Sequence, residues 1–197
     1  MEFQKIQLTR QNTLNAVFKN VDGDIVSVTG ANIVHKDLRQ ALNALIPHLA
    51  IVTEQREAQG RNLKQVQSDR ITDEGNASVF KRLDVDCVSF SDGESKVIIS
   101  GSRILLSGCV IKLASPMVDV ADDEHYEYCN ELGLDIETVK YEAAQYIEEK
   151  KWGVKQAEID FEDVNPFNGV KADDAPQAEV ADINEKPKKR GRKAKAA

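Results

Sequence analysis

The sequence predicts an α+β fold, with antiparallel β meanders, helices packed on them, a meander-plus-helix unit that reads as duplicated, and a disordered C-terminal tail. Three observations predict it. Two regions, 6–30 and 79–113, are rich in alternating and β-branched apolar residues and are punctuated by turn pairs. Each is followed by a stretch whose apolar residues recur every third or fourth position, the helical period. The last twelve residues hold seven Lys or Arg and no acid.

Taken in order, IQLTRQNTLNAVF and DIVSVTG read as strands, and Asp22-Gly23 between them is a hairpin signal because positive φ at both turn residues matches the strand twist. From Lys36 to Gln59 the period changes. Leu38, Leu42, Leu45, Leu49 and Val52 line one helical face, whose role is core packing. Pro47 falls inside that run, where it removes a backbone donor and crowds the carbonyl of Asn43. This predicts a kinked helix, or two abutting helices with Pro47 in the first turn of the second. Residues 60–77 are polar without sustained period and read as a long loop, of the kind that is often functional. Arg61, Lys64 and Arg70 within it are candidate phosphate contacts.

A second meander follows, with Gly101-Ser102 and Ser107-Gly108 as its turns. Its stretch VSFSDGESKVIISGSRIL echoes the earlier VFKNVDGDIVSVTGANIV, which suggests halves at 1–59 and 78–153. Next, Asp122, Asp123 and Glu124 suit a helix N-terminus, and Gly133 reads as the stop of that short helix. Asp135 then caps another, in which Ile136, Val139, Ala143, Tyr146 and Ile147 share a face. Ile159, Phe161, Val164 and Phe167 suggest a short pinned segment. The domain is therefore set at 1–168, followed by an acidic linker at 169–185 and a basic tail at 186–197.

Composition excludes several classes. The 197 residues are 41% hydrophobic but only 6% aromatic, enough for an aliphatic core and too few for an aromatic platform that stacks single strands. Cys87, Cys109 and Cys129 form no CxxC pair, so structural zinc is not expected and a reduced compartment is. No secretory signal or long apolar run is present, and the expected location is the cytoplasm, the host's if the chain is phage-encoded.

The formal charge of -7 conceals blocks. Residues 1–118 carry 14 Lys/Arg against 13 Asp/Glu, residues 119–185 carry 5 against 20, and the tail carries 7 against none. His125 and Cys129 stand four apart and could share a helical face with Asp122, but no second ligand pair closes a tetrahedral site. His35 and His48 lack a neighbouring nucleophile motif, and no Gly-rich phosphate loop precedes a helix. No catalytic residue, metal or cofactor is assigned, and the chain is not expected to be an enzyme.

The tail carries the sharpest motif. Lys188, Lys189, Arg190, Gly191, Arg192 and Lys193 resemble the AT-hook, a short DNA-binding motif built on Arg-Gly-Arg. The resemblance implies that Arg190 and Arg192 extend along the minor groove of A·T-rich duplex DNA, with Gly191 letting the backbone lie on the groove floor. Pro187 lies three residues before Arg190, and Lys193 stands where the family has proline. Seven cations also bind phosphates without sequence preference. The overall style resembles the small accessory proteins that bacteriophages and prophages encode beside their DNA-handling genes. The expected function is a non-enzymatic DNA-associated accessory protein whose body binds a protein partner or itself. The alternative is a structural or inhibitory interaction module working through the acidic 119–185 surface.

Overall fold

Alternation along each strand builds the sheet. The computed structural model describes residues 1–70, 79–91, 93–122 and 126–153. Strand β1 (Glu2–Leu8) buries Phe3, Ile6 and Leu8, and its hairpin partner β2 (Thr13–Lys19) buries Leu14, Ala16 and Phe18. The Asp22-Gly23 turn, with Gly23 at a φ of 92°, leads into β3 (Ile25–Ile33), which pairs with β2 and forms one edge. The second meander comprises β4 (Leu83–Ser91), β5 (Lys96–Ile104) and β6 (Val110–Ala114), and β7 (Val118–Asp119) adds to β5 beyond the end of β6. Every pairing is antiparallel, and the order is β3-β2-β1-β4-β5-β6.

This order runs outward from a central β1–β4 seam, one meander on each side. The sequence echo superposes Asp22-Gly23 on Asp92-Gly93 and so matches β2–β3 with β4–β5, whereas the sheet order sets β1–β2–β3 opposite β4–β5–β6. The echo is thus one strand out of step with the symmetry of the sheet.

Five α-helices are seen among the described residues, and the apolar residues of the strands pack against them. The Leu stripe forms two abutting helices, α1 (Lys36–Ala44) and α2 (Ile46–Val52), with Pro47 in the first turn of α2, where its missing N–H costs nothing. Leu38, Leu42, Leu45 and Leu49 are all buried. A 3₁₀ turn at Arg56–Ala58 follows.

Three expectations are corrected. Gly101-Ser102 is not a turn, because both residues pair with β4 in the interior of β5. The polar stretch after Gly60 is not an unbroken loop, because α3 (Leu63–Ser68) forms inside it. Its start is a capping box, in which the Asn62 side chain accepts from Gln65 N–H and the Gln65 side chain accepts from Asn62 N–H, and it anchors through buried Leu63 and Val66. After α4 (Val79–Arg82), the C-terminal helices expected on either side of Gly133 are one helix, α5 (Cys129–Glu148). Gly133 sits in its interior and Asp135 is not a cap. Tertiary burial of Cys129, Leu132, Ile136 and Val139 outweighs the single glycine, whose cost in a helix is about 1 kcal/mol. The chain leaves the helix through Lys150, at a φ of 57°, and ties down by Gly153 N–H donating to Ile33 O at 2.8 Å.

Helix α5 packs on α1 and β1, and all five helices lie on one side of the sheet. The other side presents Lys5, Gln7, Thr13, Asn15, Ser89 and Ser100, with no aromatic side chain among the described residues. No helix among them is long and apolar enough to cross a membrane. The boundary expected at 168, the pinned segment before it, the linker and the tail lie outside the described residues, as does His125.

Candidate nucleic-acid interface

Antiparallel pairing brings the end of β1, the start of β4, the end of β5 and the start of β6 to the same rim of the sheet. Three clefts line up along it. The central one, of about 550 Å³, lies between α2, α4 and the β5–β6 hairpin, with Ile46, Phe80 and Leu83 among its walls. Arg82 borders both this cleft and the one toward the 3₁₀ turn, while Asp84, Ser102 and Val110 border both it and the one at the β1–β2 turn. The three therefore adjoin one another along this rim, and are together called the groove.

Every arginine of the chain outside the tail lies in that groove. The seven are Arg10, Arg39, Arg56, Arg61, Arg70, Arg82 and Arg103. With Lys81 and Lys112 they make nine lining cations beside three lining carboxylates among the described residues, Glu57, Asp84 and Asp86. The near-neutral count of residues 1–118 hides this clustering of arginines, although Asp69 also reaches the groove through its pair with Arg61.

The arginines divide by what holds them. Arg39, from α1, donates to both oxygens of Asp84 at 2.8 and 3.0 Å. Arg103 pairs with Glu57 at 2.8 Å and also donates to Gln55 Oε1, and Arg82 reaches the same Glu57 at 3.8 Å. Two guanidiniums thus share one largely buried carboxylate, whose Oε2 has no hydrogen-bond partner among the described residues. The cluster keeps a net positive charge. Arg10 and Arg56 have no ion pair among the described residues, and their charge faces the groove uncompensated.

The three cations expected from the sequence are separated by the structure. Arg61 donates to both oxygens of Asp69, at 3.1 and 2.7 Å, and to the carbonyls of Glu57 and Gln65, so four of its five N–H groups are engaged. The Asp69 carboxyl is held below its ordinary value by that guanidinium, with help from the Val79 N–H. Arg61 closes the loop onto α3 and α4. Arg70 lies over the Phe80 ring, 5.3 Å from its centroid, at the mouth of the central cleft. Lys64 is exposed on α3 beside Glu127 and Glu131, away from the groove. The candidate DNA-contacting residues Lys188 to Lys193 lie outside the described residues.

Sequence reasoning passed over Arg10, Arg39, Arg56, Arg82 and Arg103, which are scattered over ninety-odd positions. Their common signal is placement at strand ends and helix termini, which becomes a pattern only once the strand order is known. The acidic stretch after 118, where described, is partly consumed internally. Glu142 pairs with Lys151 at 2.7 Å and Glu137 with Lys140 at 2.7 Å. Asp135 Oδ2 sits 3.3 Å from Nε2 of the fully buried His48, whose Nδ1 is 2.7 Å from the Tyr126 hydroxyl. Among the described residues no group of three His, Cys, Asp or Glu side chains is placed to hold a metal. No protein-family model, no curated protein and no solved structure matches this chain.

Proposed function

We propose that this chain is a non-enzymatic, DNA-associated accessory protein of the kind bacteriophages and prophages encode, with two cationic elements that engage the nucleic-acid backbone. One is the arginine groove of the body and the other is the AT-hook-like tail. The convergence of all seven body arginines on one groove carries this reading. Arginine suits phosphate better than lysine because its planar fork makes two parallel hydrogen bonds to an oxyanion. A set that served stability alone would be paired throughout, whereas Arg10 and Arg56 have no ion pair among the described residues.

Electrophoretic retardation of a duplex and of a single strand by the full chain, at several salt concentrations, tests the reading. Arg10→Ala combined with Arg56→Ala removes two cations that hold no ion pair, so the fold should stay intact. Binding should weaken several-fold, and the log-log salt slope should become shallower by about 2, the share of two phosphates. Retardation identical to the parent's at every salt concentration would remove the groove from the function.

A further inference from the structure

Resting on the reading of the groove as a backbone-binding surface, we propose that the central cleft is a nucleobase pocket and that the ligand is single-stranded nucleic acid, one unstacked base of which enters it. All three clefts carry cations, Arg70, Lys81 and Arg82 in the central one, and the central cleft adds an apolar wall that suits a base. The outer two are cationic, with Arg56 and Arg103 on one side and Arg10, Arg39 and Lys112 on the other. The central one is walled by Ile46, Phe80 and Leu83 and rimmed by Ile104 and Val110, which are 46% and 64% exposed. Cations around an apolar wall match a base with its flanking phosphates.

The central cleft also carries the polar groups that a base edge needs. The Asn43 amide and the Ser102 hydroxyl line it, and neither side chain has a hydrogen-bond partner among the described residues. An amide offers both a donor and an acceptor, which matches the edge of any base. The Arg70 guanidinium over Phe80 extends a flat surface at the mouth, on which a base can stack. At about 550 Å³ the cleft falls within the range of small-ligand sites. A base inside a duplex cannot reach it without leaving its stack, so the unpaired strand is favoured.

The adjoining hairpin adds a second feature. The turn from Leu105 to Gly108 closes β5 onto β6 and leaves Leu106 82% exposed, on the wall of the cleft that holds Arg56 and Arg103. Beside a strand, an apolar tip there would pack against the neighbouring base and keep it off the one in the pocket. Selectivity for single strands therefore comes from one pocket and one tip. The open face of the sheet has no aromatic residues with which to contribute.

Fluorescence anisotropy of the full chain in about 150 mM salt, where plain phosphate contacts are weakened, tests the proposal with four probes of equal length. These are a mixed-sequence DNA strand, the same strand with abasic sites along its centre, its duplex, and the RNA strand of the same sequence. The DNA strand should bind about fivefold or more tightly than its abasic counterpart, which carries the same charge. The RNA probe identifies which backbone the groove prefers. Asn43→Ala with Val110→Ser, both at solvent-accessible positions, should bring the intact strand down to the abasic level and leave the abasic probe unaffected. Equal affinity for intact and abasic strands would overturn the base pocket. If Arg10→Ala with Arg56→Ala still weakens every probe in that event, the backbone-binding groove stands without the pocket. If it weakens none, the groove fails as well.

Discussion

At the scale of single residues, one of the cations that the sequence nominated as a phosphate contact is fully committed to the fold. Arg61 closes onto Asp69 and two carbonyls, whereas Arg10 and Arg56 have no ion pair among the described residues. Arg61→Ala should therefore lower stability at pH 7 by about 1–2 kcal/mol, since it takes a bidentate guanidinium from a partly buried carboxylate. It should weaken nucleic-acid binding less than the Arg10/Arg56 pair does. The pH dependence has a definite sign. The folded Asp69 carboxyl titrates below its unfolded value, so its contribution is complete above about pH 4 and is lost as the pH falls through the folded value. Urea melts of parent and variant should thus converge as the pH drops below about 4, and a gap that persists to pH 2 would show that the pair is not the source. Sequence alone could nominate Arg61 as a cation in a polar stretch. It could not tell which cations carry a partner, because Asp69 is one of several nearby acids and only the fold selects it.

At the scale of elements, legibility followed how local the determining forces are. The Leu38-to-Leu49 stripe, the break at Pro47 and the Asp22-Gly23 hairpin are fixed by neighbours a few positions away, and each was readable. Helix α3 was also locally encoded, through the Asn62–Gln65 capping box, but its six residues are too few for a period to stand out. Helix α5 was misdivided because Gly133 and Asp135 imitate a stop and a start, while the core that holds the helix together is distant in sequence. Two glycines make this testable with opposite signs. A Cβ on Gly133 meets nothing within 4 Å, so Gly133→Ala should stabilise the protein by about 0.5–1 kcal/mol, the helix preference of alanine. On Gly101, opposite the β4 bulge, a Cβ would lie 1.8 Å from the Asp84 carbonyl oxygen, which is backbone and cannot step aside. Gly101→Ala should cost more than about 2 kcal/mol or prevent folding, and since Asp84 and Ser102 border the groove, it should impair binding too. A thermal melt that found Gly133→Ala destabilising would argue for a real break in α5.

At the scale of the whole molecule, charge is distributed against its total. A chain of net charge -7 carries its arginines in one groove and in one tail, with most of its acids between the two in sequence. A polyanion is repelled by the average and attracted by the places, which makes binding more salt-sensitive in its approach and confines it to the cationic elements. The two elements can be separated by their salt slopes, since each phosphate neutralised on B-form DNA contributes about -0.9. With seven tail cations, deleting residues 186–197 should flatten the slope by up to about 6, the full amount only if every one of them engages. The chain ending at Glu185 should still bind, with a residual slope of about -2 or steeper from Arg10, Arg56 and their neighbours. Adding Arg10→Ala and Arg56→Ala to that truncated chain should then remove most of what remains. A truncated chain with no salt-dependent binding would assign the entire affinity to the tail and leave the groove to another ligand. One that binds as the full chain does would deny the tail its tethering role, and the groove alone would have to explain association with nucleic acid.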